Sequence, residues 1–550
     1  MLESLISVFK ESFRPLLITS ILFIVTLSIF SALFPNLSTE FIILLLSVYI
    51  LIAIQIIVLN YYKIKYLLDK DLQYFLAYMY SLTFATTNMK RLFELASEAE
   101  EYKEISKIFK RILYLSNRYN FTIPEAIRYI LPYVVNSEFK GFIERLATSI
   151  EIGEELTDFL EREHKKVIET YQTNYKKGLE NVRTLQELGM SILTSLAFTF
   201  VILLILPLLM AIDVVKAFVF FLVALISTNV LIYSLSRYAL PEDYLWVSTK
   251  DKPDEYKRLF NLFILSLSLF MLIFSLSFRI WQDPFISSSI ASVPLLYISY
   301  RINILEKLLK KKEEKFSGFF NTIVGLSSVF GNNQVKILES ARIHDFGELN
   351  ENVNRLYNRI TITRNYKESW YYFIVEIGSN LIQKITQPFY KMLEAGGDIE
   401  KASKRLYDIL LSIIELRSMK DRFVSGARGF FYGGFIAFSM VLFVTVYIVS
   451  VMKTLFESLA TLVSAEITGM LGIPLFQLNI DINVISLIVK ILTIFQAFMI
   501  ALTLKNIDGG SKLGIFIDFT LLLWIGLGLY IITGIFFEQV LPTFLQVPQV

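Results

Sequence analysis

Nine stretches of about 20 mostly apolar residues punctuate this chain. Each approaches the length an α-helix needs to cross about 30 Å of hydrocarbon at 1.5 Å per residue. They run from Pro15 to Phe34, Phe41 to Leu59, Met190 to Ile212, Val214 to Leu235, Leu259 to Phe278, Phe285 to Tyr300, Gly429 to Val451, Asn483 to Leu504 and Leu513 to Phe536. The run from Phe285 to Tyr300 is the shortest. The fold class they predict is an all-α, polytopic membrane protein. Composition agrees, at 54% hydrophobic and 19% charged against roughly 45–50% and 25% for soluble domains.

Short turns group the first six runs into three hairpins, joined through Pro35 to Glu40, Ala211 to Asp213 and Arg279 to Pro284. The Met1 to Arg14 segment carries two acids beside two bases and no small-residue cleavage pattern follows it, so the first run reads as a span and not as a signal peptide. Basic loops stay on the cytoplasmic side. An N-terminus inside puts 49 of the 53 lysines and arginines in cytoplasmic segments, with Lys216, Arg279 and Lys453 in outer turns and Lys490 within a span. The odd number of spans then leaves the C-terminus outside, in a multi-pass protein of the cell membrane.

The resulting division is an N-terminal transmembrane hairpin (1–59), a first cytoplasmic helical domain (60–189), two transmembrane hairpins (190–300), a second cytoplasmic helical domain (301–428), and three transmembrane helices (429–550) with an outer loop at 452–482. Both polar domains follow the helical period, as in Ile105, Ile108, Phe109, Ile112, Leu113 and in Ile409, Leu410, Ile413, Ile414, Leu416.

The two domains also resemble each other. Ser149 to Arg162 aligns without a gap to Met392 to Arg405, pairing Glu151 with Glu394, Gly153 with Gly396 and Arg162 with Arg405; Asn88 to Ala96 aligns to Asn333 to Ala341. In both copies the glycine stands where a helix ends, a sharp corner follows and an acidic residue opens the next helix. An internal repeat of this period, with each copy leading into a span, reads as duplication.

Several chemistries are excluded. The chain has no cysteine and two histidines, His164 and His344, which removes thiolate chemistry and leaves little for metal or acid–base work. His164, inside Glu161 to Lys166, reads as a solvated helix face, and His344 as a loop or surface residue. There is no GxxxxGK[ST] phosphate cradle, HExxH or GxSxG; Gly509 to Lys512 reads as a turn. Asp518 is the one carboxylate well inside a span, which does not make an aspartyl protease. It and Lys490 lie near enough to helix ends to snorkel, or else to meet a neighbouring helix. No enzyme activity, cofactor, metal or nucleic acid is expected.

Repeat and topology together resemble the type II secretion F family, the polytopic platform proteins of type II secretion systems, type IV pili and the archaellum. The resemblance covers about residues 60 to 540. The additional N-terminal hairpin, middle spans and third C-terminal span resemble its archaeal branch. It implies a homodimeric platform beneath a growing filament, binding a separate hexameric secretion ATPase and pilin-like subunits. A secondary transporter, a class also rich in internal repeats, is the alternative.

Charge separates the two domains. The first holds 19 basic and 19 acidic residues and the second 21 and 15. Lys307, Lys310, Lys311, Lys312 and Lys315 follow a span and suit anionic membrane lipids. Lys401, Lys404, Arg405, Arg417, Lys420 and Arg422 are the candidates for an ATPase-facing surface. Gly429 and Gly433 form a GxxxG at the start of a span, fit for helix packing within a subunit or across a dimer.

Overall fold

The structure is a computed structural model that describes residues 69–209, 214–240, 244–247, 254–395, 399–462 and 482–537, save 85, 87, 100, 101 and 135, together with residues 20, 46, 49, 50, 53 and 57. Every named element among the described residues is helical. The first two spans lie almost wholly outside this set; of the hairpin, the hydroxyls of Ser20 and Tyr49 lie 2.6 Å apart.

Five short helices make the first polar unit: α1 (Asp69–Thr83), α2 (Met89–Ser97), α3 (Lys103–Tyr119), α4 (Ile123–Ile130) and α5 (Ser137–Glu151). Then α6 (Leu156–Leu209) runs unbroken from that unit through the third apolar run, and α7 (Val214–Ala239) returns. Helix α8 (Asp254–Trp281) and the short α9 (Pro284–Ala291) lead to α10 (Val293–Phe330). The run expected from Phe285 to Tyr300 is therefore broken at Ser292 and continues into the second polar unit. That unit adds α11 (Gln334–Ala341), α12 (Asn350–Thr363), α13 (Tyr366–Ile377) and α14 (Asn380–Ala395). From it α15 (Ile399–Leu462) passes into the next apolar run, followed by α16 (Ile482–Asp508) and α17 (Ile515–Ile535). Six helices are long and apolar enough to cross a membrane, with Phe221–Arg237 as a shorter one, among the described residues. The positions 189/190, 300/301 and 428/429 all fall inside continuous helices, and α15 extends past Val451 to Leu462. Composition changes at these points while the helical hydrogen-bond ladder does not.

The two polar units correspond at their caps. Asn88 accepts from Arg91 N–H and Asn333 from Lys336 N–H, opening α2 and α11. Helices α3 and α12 both end in a left-handed residue, Asn120 (φ 56°) and Arg364 (φ 51°). Asn136 caps α5 and the Ser379 hydroxyl caps α14. Gly153 has φ 74°, its N–H donates to the Ile150 carbonyl (3.2 Å) and the Glu154 N–H to that of Ser149 (3.0 Å). These two bonds satisfy carbonyls that the end of α5 would leave bare, in the left-handed cap that glycine adopts without a Cβ clash. Glu154 then pairs with Arg162 on α6. Gly396 lies outside the described residues.

Helices α6 and α15 run parallel and meet at corresponding heights. Glu161 pairs with Arg405, Gln172 Nε2 donates to Ser412 Oγ at 2.7 Å, and the Met190 side chain lies over Gly434. Helix α1 wedges beside this pair. Second-unit cations read its tyrosines: Lys391 lies 5.4 Å from the Tyr78 ring centre and Arg405 5.7 Å from that of Tyr80, while Lys384 meets Asp71 at 2.7 Å. Part of the second unit's basic excess is thus used inside the chain.

His164 is not solvated. It is 1% exposed, on the α6 face it shares with Leu160 and Val167, and its Nε2 has no hydrogen-bond partner among the described residues. The neighbouring Glu163 is also buried, held by Arg145 through two bonds of 2.7 and 2.6 Å. The acid–base run around His164 suggested solvent, but its 3.6-residue phase decides burial. His344 is exposed.

Helix α6 passes α7 with Gly178 against the end of the latter, where a Cβ would clash with the Ala239 carbonyl oxygen. Because that neighbour is backbone, Gly178→Ala is expected to force the helices apart at a cost of about 1–3 kcal/mol. A lowered unfolding temperature of the detergent-solubilised protein would register it; an unchanged temperature would show that the helices part freely.

Candidate functional site

Where the second polar unit meets the apolar runs, charged side chains of α10, α15, α16 and α17 interlock. On α10, the Glu313 carboxylate accepts from Ser379 Oγ at 2.5 Å and pairs with Arg417 of α15. One turn nearer the apolar end, Lys310 meets Asp421 of α15 at 2.7 Å. Another turn on, Glu306 takes Lys505 of α16 at 2.9 Å and the Ser511 N–H at 2.5 Å. Lys505 also reaches Asp508 at 3.4 Å.

Arg428 carries the chain of contacts into the apolar run. It lies 3.4 Å from Asp508 and 3.3 Å from Asp518 of α17, and Asp518 accepts from Tyr432 O–H at 2.8 Å. The segment 244–247, between α7 and α8, is tied to the same place. The Val247 N–H donates to the Gly378 carbonyl (2.8 Å) and the Asn380 N–H to the Leu245 carbonyl (3.0 Å), making an isolated antiparallel bridge of Trp246 with Ser379.

The side chains of Arg417, Glu313, Lys505 and Glu306 are each 8% exposed or less. A buried charge is tolerated only when paired, and removing one partner of such a pair typically costs about 3–5 kcal/mol. The network therefore locks four helices and an inter-span connector in one arrangement at the polar–apolar boundary.

This geometry corrects several sequence expectations. Arg417 and Lys420 are buried and do not form an outward surface, because their cationic ends are directed among α10, α15 and the connector. Arg405 is turned toward Glu161, Asp408 and Tyr80. Lys401, Lys404 and Arg422 remain exposed, and Arg422 donates to Ser418 Oγ at 2.7 Å. Of the lysines read as lipid-facing, Lys310 is in the network, Lys311 meets Glu348 at 3.6 Å and Lys312 donates to Asn352 at 3.1 Å.

Snorkelling does not describe Lys490 or Asp518 either. Lys490 lies 2.6 Å from Asp283, the N-cap of α9, and 4.7 Å from the Tyr530 ring centre, while Asp518 is 3% exposed. At the corner, Glu151 pairs with Arg128, and Glu394 is exposed at the end of α14. Among the described residues, no heavy atom beyond their own helix and chain neighbours lies within 4 Å of a Cβ built on Gly429 or Gly433. The next residue after Gly433, Gly434, packs within the chain, against Met190.

A family model described as Type II secretion system (T2SS), protein F matches residues 75–212, which take in most of the first polar unit and the long helix leaving it. Flagella accessory protein J of Methanocaldococcus jannaschii is 28% identical over 518 residues, covering 90% of this chain and 91% of that protein. The protein of the same name in Methanococcus voltae is 28% identical over 458 residues, 81% of each. No solved structure matches the chain. With its apolar helices, its helical units and these matches, the chain is a multi-pass membrane protein that is similar to the type II secretion system F family over residues 75–212 and to the flagella accessory proteins over most of its length.

Proposed function

We propose that this protein is the membrane platform on which a type IV pilus-like filament, an archaellum, is assembled, and that it has no enzymatic activity of its own. The observation that carries this reading is the protein F match over residues 75–212, supported by the resemblance to two flagella accessory proteins over most of their length. In this reading both helical units are cytoplasmic, arose by duplication of one domain, and engage a separate hexameric secretion ATPase, while the spans receive pilin-like subunits. The predominance of Lys and Arg in the segments flanking the helical units supports an inside N-terminus and an outside C-terminus. The outward Gly429 and Gly433 supply a face for a homodimer. The boundary network supports coupling, since a push on the second unit moves four helices together. A transporter would concentrate its polar groups near the bilayer midplane; here the densest ionic cluster lies at the polar–apolar boundary.

Of the candidate ATPase-facing residues, Lys401, Lys404 and Arg422 stay exposed, and Lys401 and Lys404 stand together at the start of α15. Reversal of both to Glu is expected to weaken capture of the cognate ATPase by about tenfold at low salt, and less at high salt, with membrane-inserted protein unchanged. Filament number, counted by electron microscopy, should fall with it. Unchanged capture moves the interface elsewhere, and normal filaments in cells lacking the whole protein overturn the platform reading.

A further inference from the structure

Between the end of α3 and α4, the first unit displays a ladder of aromatic rings on its surface. Tyr114 meets Tyr119 with ring centres 6.1 Å apart, Tyr119 meets Phe121 at 6.4 Å, and Phe121 meets Tyr129 at 5.9 Å. Phe121 anchors the ladder on the core, but Tyr114, Tyr119 and Tyr129 are 59%, 59% and 57% exposed. Folding alone does not explain this, because water is the least favourable environment for contiguous aromatic surface, and such patches mark interaction sites.

The corresponding positions of the second unit show that the helical framework does not require it. Counting from the paired left-handed caps Asn120 and Arg364, Tyr114, Tyr119 and Phe121 fall on Asn358, Thr363 and Asn365. Three rungs are polar there, and the fourth, Tyr129, falls on Phe373, which is buried in the core and not displayed.

Charge and position indicate what covers the ladder. Lys110, Arg111 and Arg118 are exposed around it, and none has an ion-pair partner among the described residues. The nearby acids are already engaged: Glu104 with Lys107, Glu125 in the Thr122 cap and Glu151 with Arg128. That last pair also fixes the depth. Arg128 adjoins Tyr129, and Glu151 lies at the corner before α6, whose first residue is about 50 Å along the helix from Met190, where the apolar run begins. The ladder's α4 end is thus remote from lipid.

We propose that this face docks an acidic segment of a separate soluble protein, with apolar side chains laid on the rings and carboxylates meeting Lys110, Arg111 and Arg118. The proposal does not rest on the filament reading, and its surface is distinct from the one at Lys401 and Lys404.

The absence of cysteine allows a direct test on the full chain in lipid nanodiscs. Tyr133→Cys, beside the ladder, is labelled with an environment-sensitive fluorophore, and Thr363→Cys on the second unit serves as the control. The probe is a synthetic helical peptide with Glu on one face and Leu and Phe on the other. Saturable binding is expected at Tyr133→Cys and not at Thr363→Cys. Adding Tyr119→Ser with Tyr129→Ser, or Lys110→Ala with Arg118→Ala, should weaken it by about tenfold or more, while helicity and unfolding temperature stay unchanged. Equal binding of the isomer with Lys in place of Glu, or no effect of either pair, overturns the proposal. So does tighter binding of a single-stranded oligonucleotide, or of anionic vesicles, that the same substitutions abolish.

Discussion

Arg417→Ala is expected to destabilise the protein by about 3–5 kcal/mol, because it leaves the Glu313 carboxylate buried without its cation. Glu313 would retain Ser379 Oγ, which is a neutral donor and cannot balance a full charge. Replacing both members by residues of similar volume, as in Arg417→Met with Glu313→Gln, removes the unpaired charge and should recover most of the loss. Thermal unfolding of the parent, Arg417→Met, Glu313→Gln and the double variant in one detergent gives the double-mutant cycle. A single substitution costing less than about 1 kcal/mol would show that the pair is hydrated in the membrane-bound protein and does not lock α10 to α15.

Stability should also depend on acidity through His164. Burial pushes its pKa from the ordinary 6.5 down to about 4, so the unfolded chain takes up a proton in a pH range where the folded chain does not. Folding is therefore unaffected by this group above about pH 7, weakens as pH falls through 6.5, and stops weakening below about 4. The full window is worth about 3 kcal/mol. His164→Leu keeps the apolar face and lacks the titration, so its unfolding temperature should fall less than that of the parent between pH 7 and pH 5. Parallel curves for the two proteins would place His164 in contact with water.

The helical character of the polar units and the long apolar helices among the described residues were legible because each is a local pattern. An apolar run declares itself within about 20 residues, and a cap within four. The contacts that define the boundary site are not local. Arg417 meets Glu313 across 104 positions, Lys505 meets Glu306 across 199, and Lys490 meets Asp283 across 207. Read one segment at a time, each of these cations resembles an ordinary solvated or snorkelling side chain, and only the packing of α10, α15 and α16 supplies the partner. His164 is different, since its signal was present: Leu160, His164 and Val167 follow the helical period, and the flanking charges outweighed that phase. Each unit was expected to lead through its last helix into a span, and α6 and α15 do cross the boundary unbroken, since polarity changes at Met190 and Gly429 while helix propensity does not.

In the duplication reading, the parallel contact of α6 with α15 brings matching helices together within a single chain, as two identical subunits would around a two-fold axis. Two identical subunits around such an axis must present every residue twice, so any change made for one side is imposed on the other. Joining the halves by peptide bonds removes that obligation. Glu161 can face Arg405 although the position matching Glu161 is Lys404, a pairing of opposite charges that identical copies would have to buy with two acids and two bases. The aromatic rungs at Tyr114 and Tyr119 can exist on one unit while Asn358 and Thr363 stand on the other. A tandem chain can thus keep the geometry of a dimer while its halves specialise, one toward the surface around α3 and α4 and the other toward the ionic lock at the membrane.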